Sequence, residues 1–200
     1  MYDSGSIKDY LRDLSAKLPA PGGGSAAALS ASIGASLMCM VANYTVHNPK
    51  YKDVEEKAAD ILVRAGNFRD ELELLVDKDI EAYKKLSKLT KESDPAKLEE
   101  AYKEALKPPF EICKVASRAL ELCSGLVKVG NKNLITDTAI AAILLEGAFF
   151  SAKFNVYINL KYIKDMDYVG EIHKLLAPLE ESMPKLKEDI LEACEDVISR

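Results

Sequence analysis

The chain has 200 residues and a net charge of -5, with 48% hydrophobic and 30% charged residues. That mix is ordinary for a globular protein that buries its core without covalent staples. The acidic balance lacks the basic surface that phosphate backbones need, so no nucleic-acid partner is expected. Cys39, Cys113, Cys123 and Cys194 form no CxxC pair, and His47 and His173 stand apart in the sequence. No metal site is expected from that spacing. The thiols read as reduced and packed, which suits a cytoplasmic location.

The N-terminal residues mix charge with apolar positions and contain no continuous apolar run of the kind a signal peptide carries. Ser6 followed by Asp9 predicts a helix start, and the helix runs to about Leu18 with Ile7, Tyr10, Leu11 and Leu14 on one side. Pro19 to Gly24 is a loop. A second helix is expected over about Ser25–Val46, with small residues every fourth position: Ala27, Ala31 and Ala35, then Ala28, Ser32 and Ser36. Such rows let helix backbones approach closely. The stretch is uncharged and long enough to span a bilayer. Its Ala, Ser and Gly content reads instead as a buried central helix, with no membrane partner.

A third helix starts near Tyr51 and passes Leu86, with the stripe Ile61, Ala65, Phe68, Leu72, Leu75 and then Tyr83 or Ala82. Ser93-Asp94-Pro95 starts a fourth over about 95–124, bent or broken at Pro108-Pro109. Gly130 to Asn133 is a loop, a fifth helix reaches about Ile163, and a sixth covers about Val169–Ile198, interrupted near Pro178 or Pro184. The expected fold is a single all-α domain over 1–200, a multi-helix bundle around a long, small-residue central helix.

Three features could carry chemistry. The first is Gly22-Gly23-Gly24-Ser25 at a helix start, where bare backbone and free amides can meet a polar ligand. The alternative there is a hinge that lets two helices cross. The second is Asp79, which falls on the apolar stripe where a buried side chain is due. A lone carboxylate in such a place shifts toward its neutral form or finds a partner, and both outcomes suit acid–base work. The alternative is a carboxylate satisfied by a core hydrogen bond or ion pair. Asp77 lies off the stripe and reads as solvated. The third is the row Asp137, Ala141, Leu144, Ala148, Ala152, Asn155 and Asn159, small or apolar in its middle and polar at its ends. Asn155 and Asn159 either line a groove or serve as backbone caps or subunit bridges. Glu146 and Lys153 read as ion-pair or interface residues.

In order, Pro21-Gly22-Gly23-Gly24-Ser25, Met40-Val41-Ala42-Asn43-Tyr44-Thr45, Val76-Asp77-Lys78-Asp79 with Ala82-Tyr83, Gly130-Asn131-Lys132-Asn133 with Asp137, and Asn155-Val156-Tyr157-Ile158-Asn159 resemble one family. It is the formiminotetrahydrofolate cyclodeaminase and methenyltetrahydrofolate cyclohydrolase family, also found as the C-terminal part of formiminotransferase-cyclodeaminase. The resemblance covers essentially the whole chain. Ile80, Ser151 and His47-Asn48-Pro49 depart from the family pattern.

The resemblance implies an all-helical dimer in which Asp79 is catalytic. It places Gly22, Gly23, Gly24, Ser25, Asn43, Thr45, Tyr83, Asn131, Asn133, Asp137, Asn155 and Asn159 around a folate cleft. It implies a tetrahydrofolate derivative as substrate and no cofactor beyond it. With only about 20 residues ahead of the glycines, a formiminotransferase is expected as a separate chain. The expected activity is formation of 5,10-methenyltetrahydrofolate and ammonia from the formimino derivative. The alternatives are methenyl cyclohydrolysis and, from another class, a non-catalytic helical bundle that binds partners.

Overall fold

The computed structural model describes residues 5–89 and 94–200, and all regular structure among them is helical. Six α-helices follow one another: α1 Ile7–Leu14, α2 Gly23–Asn43, α3 Glu55–Leu89, α4 Pro95–Val129, α5 Ile135–Leu160 and α6 Met166–Ile198. Short 3-10 turns, Pro49–Val54 and Lys132–Leu134, lead into α3 and α5.

Local sequence explains most boundaries. Ser6 caps α1 by accepting the Asp9 amide at 3.1 Å. The helix ends at Leu14, short of the expected Leu18. There the Ser15 hydroxyl binds the Arg12 carbonyl at 2.8 Å, and Pro19 then disfavours helical backbone before it. Of the apolar side expected on α1, Tyr10 alone is buried, while Ile7 and Leu11 face solvent. Asp94 caps α4 by accepting the amides of Ala96 and Lys97, while Ser93 lies outside the described residues. Asp165 caps α6 through the Tyr168 amide at 3.1 Å.

The breaks expected at the prolines do not occur. α4 runs unbroken through Pro108 and Pro109 to Val129, and α6 runs unbroken through Pro178 and Pro184. In α4 both rings are buried. Their packing offsets the two amide hydrogen bonds that proline cannot donate.

The helix α2 packs against α3, α5 and α4, and α4 in turn packs against α3, α5 and α6. The small rows of α2 make this approach close. A Cβ on Gly34 would lie 3.0 Å from Leu145 Cγ and 3.2 Å from the Ala141 carbonyl of α5. Around these contacts Met38, Leu72, Leu106, Ile112, Leu120 and Phe149 are fully buried. The helix α2 and the segment Lys132–Leu160 are each long and apolar enough to cross a membrane, and α2 lies mostly inside the bundle. Lys153 on α5 pairs with Glu180 of α6 at 3.5 Å, not with Glu146.

Candidate functional site

The site grows from the way α2 begins. Gly22 is the N-cap residue and has no side chain to offer the free amides of the first turn. Ser25 supplies part of the remedy: its hydroxyl donates to the Gly22 carbonyl at 2.9 Å and accepts the Gly22 amide at 3.2 Å. The Tyr10 hydroxyl lies 3.1 Å from Ser25 Oγ and ties α1 to the turn. The Ser25 hydroxyl proton is already committed to Gly22, so the phenol is the donor. The rest of the remedy comes from α3. The Ser25 amide donates to the carboxylate of Asp79, which thus caps α2 from a neighbouring helix.

Asp79 reaches that position because residue 24 is glycine. A Cβ on Gly24 would sit 2.1 Å from Asp79 Oδ1 and 2.5 Å from its Cγ. The carboxyl group therefore rests directly on the backbone of α2. It is half-buried, and burial pushes its pKa up to about 6, against the lowering effect of the Ser25 amide. Burial also raises the Tyr10 phenol, opposed by its bond to Ser25 and helped by the nearby Asp79 charge. Asp79 thus sits on the buried stripe, as its position in the sequence implies. Asp77, expected in solvent, is half-buried.

A cleft of about 530 Å³ opens in front of this group, between the start of α2 and the C-terminal halves of α3 and α5. That is within the range of small-molecule sites. Gly22, Gly23, Gly24, Asp79, Tyr83, Asn155 and Asn159 all line it. Asn155 packs against Gly23, where a Cβ would lie 3.6 Å from Asn155 Nδ2. The side-chain amides of Asn155 and Asn159 donate back to the carbonyls of Ser151 and Asn155 at 3.0 and 2.8 Å. This fixes their orientation and leaves the acceptor oxygens for a ligand. Ser25 lies behind the glycines, fully buried.

The tyrosines Tyr102 of α4 and Tyr162, just beyond α5, also line the cleft and have no counterpart among the residues expected from the sequence. Their rings stack with centroids 4.7 Å apart and planes 16° from parallel. Sixty positions separate them, and no local pattern announces the pair. The role of Tyr10 also went unseen, although it is the one hydroxyl on the apolar side of α1.

The remaining site candidates lie elsewhere. Asn43 is at the last turn of α2, about 30 Å from Gly23 at 1.5 Å per residue. Thr45 is fully buried. Its hydroxyl donates to the Val41 carbonyl at 2.7 Å and accepts the Asn131 amide at 2.9 Å. Asn131 Nδ2 donates to the Tyr44 carbonyl, and its Oδ1 accepts the Tyr51 hydroxyl and the Asn133 amide. Asn133 and Asp137 follow at the start of α5. Within one protomer this group locks the far end of α2 and does not reach the cleft. Among the described residues no cluster of three His, Cys, Asp or Glu side chains could hold a metal ion. All four cysteines are buried and free.

Comparison with known proteins agrees with this architecture. A family model described as formiminotransferase-cyclodeaminase matches residues 6–177. The methenyltetrahydrofolate cyclohydrolase of Methylorubrum extorquens is 32% identical over 203 residues, covering 97% of this chain and 98% of that protein. The formimidoyltransferase-cyclodeaminase of Mus musculus is 30% identical over 87% of this chain, which spans only 34% of that longer protein. The crystal structure of formiminotetrahydrofolate cyclodeaminase from Thermotoga maritima superposes with a TM-score of 0.94 at 30% identity, over 99% of this chain and 100% of that one. The chain belongs to the formiminotransferase-cyclodeaminase family.

Proposed function

We propose that this protein is a folate one-carbon enzyme that closes the methenyl ring of a tetrahydrofolate derivative, with Asp79 as its acid–base group. The observation that carries the reading is the half-buried Asp79 carboxyl, seated on Gly24 and facing a cleft. In the cyclodeaminase reaction N10 attacks the formimino carbon held on N5. Ionised Asp79 takes the N10 proton and returns it to the departing nitrogen, which leaves as ammonia. A group titrating near 6 can do both at neutral pH. The bare glycine turn lets the ring system approach the carboxylate, and Asn155 and Asn159 offer acceptors to its N–H groups.

A second reading, 5,10-methenyltetrahydrofolate cyclohydrolase, is favoured by the Methylorubrum relative, which matches over nearly the full length of both chains. There water attacks the methenyl carbon and Asp79 takes its proton. Either reading needs no cofactor beyond the folate substrate.

The protein acts in this reading as a cytoplasmic homodimer, with α2 as the central small-residue helix of the assembly. Ile33 on α2, Tyr44 just after it, and Ile140 and Ile143 on the adjoining α5 are exposed apolar side chains. Such a patch on a soluble protein marks an interface. Asn43, Asn131, Asn133 and Asp137 then contact a ligand only as contributions from the second protomer. The test is to offer the purified protein 5-formimino- and 5,10-methenyltetrahydrofolate separately. Methenyl absorbance rises with the first for a cyclodeaminase and falls with the second for a cyclohydrolase. No change with either overturns the proposal.

A further inference from the structure

Among the described residues lining the cleft, Asp79 is the one charged side chain. Burial and the Ser25 amide are what act on its charge, and no Lys, Arg or His of the described residues stands against it. The other walls are neutral: the glycine turn, the amides of Asn155 and Asn159, and the tyrosines Tyr83, Tyr102 and Tyr162. A carboxylate held out of water without a cation is costly unless a ligand supplies the cation.

We propose that the cleft selects a positively charged one-carbon unit, for which Asp79 is the counter-charge that each protomer supplies to its own cleft, and disfavours neutral formyl folates. This rests on the folate reading above and extends it to the charge state of the ligand.

The chemistry of the one-carbon unit makes the distinction sharp. A formimino group on N5, protonated, is an amidinium. Closure onto N10 with loss of ammonia leaves the methenyl ring, again a cation, so one positive charge enters and one remains. Hydrolysis of the methenyl ring consumes water, releases a proton and leaves a neutral formyl group. In the first case the carboxylate faces a cation both before and after closure. In the second it loses its counter-charge, which speeds release of the product. A formyl oxygen is an acceptor, and set against the carboxylate it finds no proton. An opposite charge within about 4–6 Å moves a carboxylate pKa by about 1–3 units. By linkage the cation then binds about 10- to 1,000-fold more tightly than a neutral ligand of the same shape.

The test compares 5,10-methenyltetrahydrofolate with 5-formyltetrahydrofolate, which carries the same carbon without the charge. Binding is read from quenching of tyrosine fluorescence on rapid mixing, before turnover. The wild-type protein should favour the methenyl compound by about tenfold or more. Asp79→Asn should erase that preference, so that the two compounds bind it with equal affinity. Equal wild-type affinities, or a preference surviving in Asp79→Asn, overturn the proposal. Failure of both compounds to bind the wild type sinks the folate reading itself, and this inference with it. The wild-type ratio stands as a test even if Asp79→Asn does not fold.

Discussion

Gly24 and Asp79 occupy space that a single methyl group would deny them: a Cβ at residue 24 falls 2.1 Å from Asp79 Oδ1. Gly24→Ala is therefore expected to fold, because a carboxyl group can swing aside, and to lose its function. A displacement of about 1 Å costs on the order of 100-fold in rate. Gly66→Ala, in the middle of α3 and away from the cleft, is the control. Its Cβ meets nothing within 4 Å. It should raise stability by about 0.5–1 kcal/mol with turnover close to wild type. Melting temperatures and initial rates of the two variants, measured side by side, check the contrast.

The same burial that tunes Asp79 makes it a burden on the fold. Its pKa is raised to about 6 in the folded protein, so the folded state holds the proton more tightly than the unfolded chain. Stability therefore falls as pH climbs from the ordinary carboxylate range through about 6, then levels. Asp79→Asn keeps an acceptor for the Ser25 amide without the charge. Above pH 6 it should be more stable than wild type by about 1–3 kcal/mol. The difference should vanish in acid, where both side chains are neutral. Denaturant titrations across this pH range measure it.

The far end of α2 answers to different chemistry. Thr45→Val keeps the shape but leaves the buried Asn131 amide without its acceptor. It should cost about 1–3 kcal/mol, seen as a lower denaturation midpoint with unchanged slope.

The exposed α2 and α5 side chains carry the dimer proposal. Ile33 is 47% and Ile140 45% exposed in the single chain. Replacing both by Glu puts charge in an apolar interface and should give a folded monomer by light scattering. A dimer of unchanged strength would remove this face from the account.

Much of this was legible in the sequence, for identifiable reasons. Asp79 stood out because an apolar stripe with period near 3.6 leaves little room for a carboxylate. The glycines stood out because three in a row before a helix open the backbone. What the sequence could not disclose was that one feature completes the other. A glycine N-cap leaves its amides unpaired, and the acceptor comes from a residue 55 positions after Gly24, which only tertiary packing can reveal. The prolines of α4 misled for a related reason. A local rule about missing amides was overridden there by burial of both rings. The family resemblance places Asn131, Asn133 and Asp137 around the cleft, and within one protomer the length of α2 separates them from it. Tyr102 and Tyr162 meet only because α4 and α5 lie side by side.

The claim on which the rest depends is that the Asp79 carboxyl moves the proton during ring closure. Single-turnover rates of purified Asp79→Asn, with its fold and assembly checked against wild type, test it directly on the formimino and methenyl substrates. The rate on whichever substrate the wild type uses should fall by about 100- to 10,000-fold. A correctly folded variant that turns over at the wild-type rate would contradict the account.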